Sequence, residues 1–164
     1  MMQTDGRNTL VTSAGLNRDL ITVIRQVFEQ YNYTALPFVT NLYGCSFRSQ
    51  CESVFWFVAN NITYKEDEGL NQLIKTPARL YADKVGDCKS MSIFIASCMY
   101  QLGARVTLRF VTFNRDLNNY THVYCVASKD GEEYILDPVE RVNQQPKFDY
   151  ASKYVTKRDV TYIK

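Results

Sequence analysis

The sequence predicts an α+β domain in which a helical layer packs on an antiparallel β-sheet, and one change of period along the chain carries that prediction. Up to Leu102 the apolar residues recur at three- and four-residue steps, the period of helices with one buried face. From Val106 onward they alternate with polar residues, the period of strands. Helices first and strands afterwards separate this chain from alternating βα folds. Its 164 residues suit one domain with one core. Residues 1–60 read as an N-terminal helical part, 61–139 as the core and 140–164 as a C-terminal extension.

The first helix is expected over residues 16–31, where Leu16, Leu20, Val23, Ile24, Val27, Phe28 and Tyr31 form one stripe and Asn17 or Ser13 caps it. After a loop holding Pro37 and Gly44, SQCESVFWFVAN at residues 49–60 predicts a second, largely buried helix with Trp56 in the core. Residues 61–85, interrupted by Gly69 and Pro77, read as a structured loop with a short helix. Met91, Phe94, Ile95, Cys98, Met99 and Leu102 then mark one face of a third helix. It begins at Cys88 and stops at Gly103, a residue suited to the left-handed turn after a helix.

Val106, Leu108 and Phe110 alternate with Thr107, Arg109 and Val111, and the strands THVYCVAS and EEYILDP follow, separated by Lys129-Asp130-Gly131. With that turn closing a hairpin, facing residue numbers sum to about 260, which sets Asp137 opposite Val123. The tail, with Tyr154, Val155, Val160, Tyr162 and Ile163 among charges, adds one more strand or a short helix.

Composition excludes several function classes. Lys+Arg (19) nearly balance Asp+Glu (17), and no arginine-rich block is present, so no nucleic-acid partner is expected. No run approaches the roughly 18 apolar residues of a membrane span, and MMQTDGRNTLVTS lacks the basic-then-apolar pattern of a secretory signal. The expectation is a cytoplasmic protein with no membrane partner, in which the sequons at Asn32, Asn61 and Asn119 are chance matches. Five cysteines cannot all pair internally, so reduced thiols are expected. A single histidine, no second close pair beside Cys45 and Cys51, and no calcium or phosphate loop imply no metal or organic cofactor.

Chemistry converges on three residues. Cys88 opens a helix, where unpaired backbone N–H groups and the helix dipole favour an anion and hence a thiolate nucleophile. The same N–H groups can donate to the oxyanion formed when sulfur attacks a carbonyl carbon, and Gly86 lets the chain turn tightly just before. His122, the only histidine, is the first suspect for general-base work near neutral pH. Asp137 shares its end of the hairpin. A carboxylate there accepts a hydrogen bond from one imidazole nitrogen and leaves the other for the thiol proton, while Pro138 stiffens its position.

The segments VGDCKSMSIFIAS, THVYCV and YILDPV, in that order, resemble the transglutaminase-like family, in particular its small bacterial or phage members. The resemblance covers residues 62–139 and extends to the upstream stretch GLNQLIKTPARLYADKVGDC. It implies a papain-like Cys-His-Asp triad of Cys88, His122 and Asp137. It further implies that Gln72, five residues before Pro77, supplies a side-chain amide to the oxyanion hole or orients substrate. Ser90 departs from the pattern, because many members carry an acidic residue two positions after the nucleophile.

Each of these residues also has a purely structural reading. A cysteine at a helix start is more often structural than catalytic, a histidine on an apolar strand is commonly a hydrogen-bonded core group, and Asp137 before Pro138 suits a turn. Their joint occurrence in matching contexts favours chemistry. Cys45, Cys51, Cys98 and Cys125 read as structural thiols. The triad implies a thioester formed from a peptide or carboxamide carbonyl and resolved by water, the work of a cysteine protease or amidase on a protein or peptide substrate. Two alternatives stay open: resolution by an amine, giving crosslinking or transamidation, and a non-enzymatic assembly or binding module that keeps the fold.

Overall fold

The structure is a computed structural model that describes residues 8–12, 17–115 and 118–164. It opens with a strand that the sequence pattern does not announce, β1 (Asn8–Thr12). Helix α1 (Arg18–Tyr31) follows, with the Asn17 side chain accepting the Leu20 N–H at 3.0 Å as the expected cap. Ser13 and Leu16, the other residues of that expectation, lie outside the described residues. Residues 32–42, expected as loop, are wound into two 3₁₀ turns around α2 (Leu36–Val39).

Helix α3 (Phe47–Asn61) starts two residues before the predicted one, because Ser46 caps it by accepting the Ser49 N–H at 3.2 Å. Phe47, Cys51, Val54, Phe55 and Val58 fill its buried stripe. Trp56 falls outside that stripe and is 39% exposed, which corrects its expected place in the core. Its ring meets that of Phe55 in a T-shaped contact, 4.9 Å between centroids.

The predicted loop at residues 61–85 is more ordered than expected. It holds β2 (Thr63–Tyr64), β3 (Asn71–Lys75), α4 (Pro77–Asp83) and β4 (Val85–Gly86), with β1 paired antiparallel to β3 and β2 parallel to β4. Thr76 caps α4, Pro77 occupies its first turn, and Lys84 ends it in the left-handed region at φ 56°.

Helix α5 (Cys88–Gln101) was expected to bury one face; every residue from Cys88 to Met99 is buried. It packs against both the sheet and helices α1, α3 and α4, so its small polar residues are enclosed too. Ser92, for example, donates to the Val123 carbonyl at 2.9 Å. Gly103 ends it at φ 84°, as predicted.

The sheet runs β10-β5-β6-β7, built from β5 (Arg105–Thr112), β6 (His122–Lys129), β7 (Glu132–Leu136) and β10 (Thr156–Tyr162), all neighbours antiparallel. Thus the tail supplies a strand, placed beside β5 and not next to β7. A small ribbon of β8 (Arg141–Val142) and β9 (Gln145–Pro146) precedes it. Lys129 pairs with Glu132 across a two-residue turn, in which Asp130 and Gly131 both have positive φ. The shorter turn shifts the predicted register by one, with Cys125 facing Leu136, so Asp137 lies just past the end of β7 and not opposite Val123. No helix among the described residues is long and apolar enough to cross a membrane.

Candidate active site

Three elements converge on one corner of the fold. Cys88 is the first residue of α5 and is 8% exposed. Asp87 is the helix cap, its side chain accepting from the backbone N–H of Lys89 at 3.1 Å and of Ser90 at 3.5 Å. That cap takes two of the donors that the sequence expectation left free for an oxyanion. Gly86 is needed here for close approach and not for a tight turn. A Cβ at that position lies 2.6 Å from Leu80 Cδ1 and 3.3 Å from Ser90 Cβ, while its φ is outside the left-handed region.

The Ser92 bond to the Val123 carbonyl holds α5 against β6, whose first residue is His122. His122 Nε2 lies 2.6 Å from Asp137 Oδ2, and the other oxygen of Asp137 accepts the Val139 N–H at 3.2 Å. Both side chains are buried. With Nε2 occupied, Nδ1 is the imidazole nitrogen left for another partner. Burial acts to lower the His122 pKa; the Asp137 hydrogen bond and Cys88, close enough to act on the ring, prevail and hold it at about 10. The structure therefore pairs His122 with Asp137 and leaves Cys88 near enough to influence the ring.

A cavity of about 310 Å³ opens at Cys88, with Tyr64, Gln72, Asp87, Lys89, Asn119 and Tyr120 in its walls. Gln72 is half-buried on β3 and shares this cavity with Cys88. Sequence reasoning missed Lys89, adjacent to Cys88 in the chain, and also Tyr64, Asp67 and Asn119 to Thr121, which the pairing of β2 with β4 and of β5 with β6 brings toward Cys88. Burial first, then the charge of Cys88, raises the pKa of Tyr64, whose hydroxyl donates to Glu66 at 3.3 Å. Lys89 stands next to the nucleophile in the sequence, but nothing there marks its burial.

His122, Asp137 and Glu140 also place ligand-type atoms within 4.8 Å of one another. Asp137 is committed to His122, and Glu140 accepts the Ser152 hydroxyl at 2.5 Å, so hydrogen bonds account for this grouping. All five cysteines are free thiols; Cys45 is exposed, and Cys51, Cys98 and Cys125 are buried as structural thiols would be. Burial pushes the Cys51 thiol up to about 12 and raises Cys98 and Cys125 as well.

No protein-family model and no curated relative matches the chain in sequence. In structure it is similar to calcium-bound LapG of Legionella pneumophila, with a TM-score of 0.50 and 19% identity over 87% of this chain and 83% of that one. It is also similar to a candidate cysteine protease from Cytophaga hutchinsonii, with a TM-score of 0.51 and 11% identity over 95% of this chain and 63% of that one. At such identities the likeness is one of fold, and the chain has the α+β, transglutaminase-like fold.

Proposed function

We propose that the protein is a cysteine hydrolase, a protease or amidase, that cleaves a peptide or carboxamide through a thioester on Cys88. The observation that carries this reading is the buried His122–Asp137 pair set beside a cysteine at a helix start, where a cavity opens. The shared fold with a candidate cysteine protease supports it at the level of architecture.

With its pKa held at about 10, His122 is an imidazolium at neutral pH, carrying the proton of the thiol and stabilising the thiolate. The sulfur forms a bond to the carbonyl carbon, and the π electrons move to oxygen. The Cys88 backbone N–H and the Gln72 side-chain amide donate to that oxyanion. Collapse breaks the C–N bond, and His122 gives its proton to the leaving amine. The now neutral imidazole removes a proton from water, hydroxide attacks the thioester, and rupture of the C–S bond restores the ion pair.

Alkylation by iodoacetamide, read by mass spectrometry of the native protein, tests the site. Cys88 is expected to react ahead of Cys45 although Cys45 is exposed, and His122→Ala is expected to abolish that preference. Equal or slower reaction at Cys88 sinks the reading. Ammonia release from a glutamine-containing peptide, with and without an added amine, then separates hydrolysis from transamidation.

A further inference from the structure

The reaction above leaves unused a charge triplet that sits directly under the nucleophile. Lys89 is 3% exposed, yet it ends in an ammonium. That ammonium pairs with Asp67 at 3.2 Å and with Asp87. Asp87, 5% exposed, is the cap of the helix that begins at Cys88. Asp67 Oδ2 also accepts the Leu73 N–H at 2.7 Å, which ties the triplet to the strand that carries Gln72. Asp67, Asp87 and Lys89 all line the Cys88 cavity.

For stability alone this is an expensive arrangement. Serine or threonine caps a helix with no buried charge, and a buried ion pair commonly gives no net gain over apolar packing. Its position gives it another use. The groups that face Cys88 are His122 of β6 with Asp137 behind it, Tyr64 of β2, Asp87 and Lys89 on either side in sequence, and Glu66 and Asp67 from the cavity wall. Burial raises the Asp87 pKa against the pull of Lys89, and with that ammonium in place the Asp87 and Asp67 carboxylates oppose a thiolate where the helix dipole favours one. Burial acts to lower the Lys89 pKa, but Asp87, Cys88 and Asp67 prevail and hold it raised, so the ammonium stays charged.

We propose that Lys89 is a positioning residue of this site, whose buried ammonium joins the Asp67 wall of the cavity to the Asp87 cap and offsets the carboxylate charge beside Cys88. The proposal rests on the thiol-enzyme reading of Cys88. It assigns Lys89 two effects that a packing role lacks: an electrostatic one on the sulfur and a mechanical one on the segment between Tyr64 and Leu73.

The test measures the rate of iodoacetamide alkylation at Cys88 against pH in the wild type, Lys89→Met, Lys89→Arg and Asp67→Asn, with hydrogen exchange of residues 65–73 followed in parallel. Circular dichroism establishes that each variant is folded. Lys89→Met is expected to slow alkylation near neutral pH by about tenfold and to move its half-maximum about one unit upward. Lys89→Arg is expected to restore the profile. Asp67→Asn removes one of the carboxylates that oppose the thiolate while keeping the Lys89–Asp87 contact, so it is expected to move the alkylation half-maximum to lower pH, and in Lys89→Met exchange at Leu73 is expected to accelerate. A folded Lys89→Met with the wild-type profile overturns the proposal, as does a wild-type profile in Asp67→Asn, which decides the matter if Lys89→Met fails to fold. Wild-type Cys88 no faster than Cys45 takes down the thiol-enzyme reading and this proposal together. Selective Cys88 alkylation that is indifferent to Lys89 takes down this proposal alone.

Discussion

His122 and Asp137 meet at 2.6 Å although 15 positions separate them, because a two-residue turn returns β7 alongside β6 and leaves Asp137 just beyond the strand end. The carboxylate is thereby free of the sheet ladder and able to hold the imidazole, while its second oxygen is fixed by the Val139 N–H. A buried acid and a buried base satisfy each other's polar demands in this way.

The pair makes stability depend on pH. His122 is raised from 6.5 to about 10, so between those values the folded state keeps a proton that the unfolded chain has released. The contribution is complete below pH 6.5 and is lost as pH rises toward 10. Urea denaturation in a Cys88→Ala background, where no thiol hands its proton to the ring, is expected to show the stability difference between His122 and His122→Gln shrinking as pH rises above 6.5; a difference that stays flat with pH contradicts the His122–Asp137 ion pair.

Gln72 is expected to act on the transition state and not on substrate binding. Gln72→Ala should lower kcat by about 10²-fold and leave KM close to the wild-type value. A rise in KM alone, measured on any peptide the enzyme cleaves, assigns Gln72 to binding.

Gly86→Ala places a methyl group 2.6 Å from Leu80 Cδ1, beneath the start of α5. Overpacking of this kind costs about 1–3 kcal/mol, and the strain falls on the segment that presents Cys88. Thermal denaturation is expected to show the loss, with Leu80→Val in the same chain recovering part of it. An undiminished Tm rules out the clash.

Neighbouring aromatic residues on α3 should behave oppositely. Phe55 is 0% exposed and Trp56 39% exposed. Phe55→Ala is expected to cost about 3–5 kcal/mol, against less than about 1 kcal/mol for Trp56→Ala, by chemical denaturation. Equal losses at the two positions contradict the helix rotation described here.

Residues that act through their near neighbours were legible in the sequence. The apolar period placed α1, α3, α5 and strands β5 to β7, the Asn17 cap and the Gly103 stop followed from local backbone chemistry, and the sequence marked His122 and Asp137, which meet. What depends on distant partners was not legible. The pairing of β1 with β3 joins short segments with no period to read, and the complete burial of α5 is decided by a sheet and helices that enclose it from several sides. Trp56 faces outward because other residues of α3 already fill the interface, and the one-residue register shift comes from the Asp130-Gly131 turn. Lys89 is the clearest case: beside Cys88 in the sequence it reads as an ordinary surface charge. Only folding brings Asp67 to it and removes water, and within that enclosure a charge must find a counter-charge and becomes part of the site.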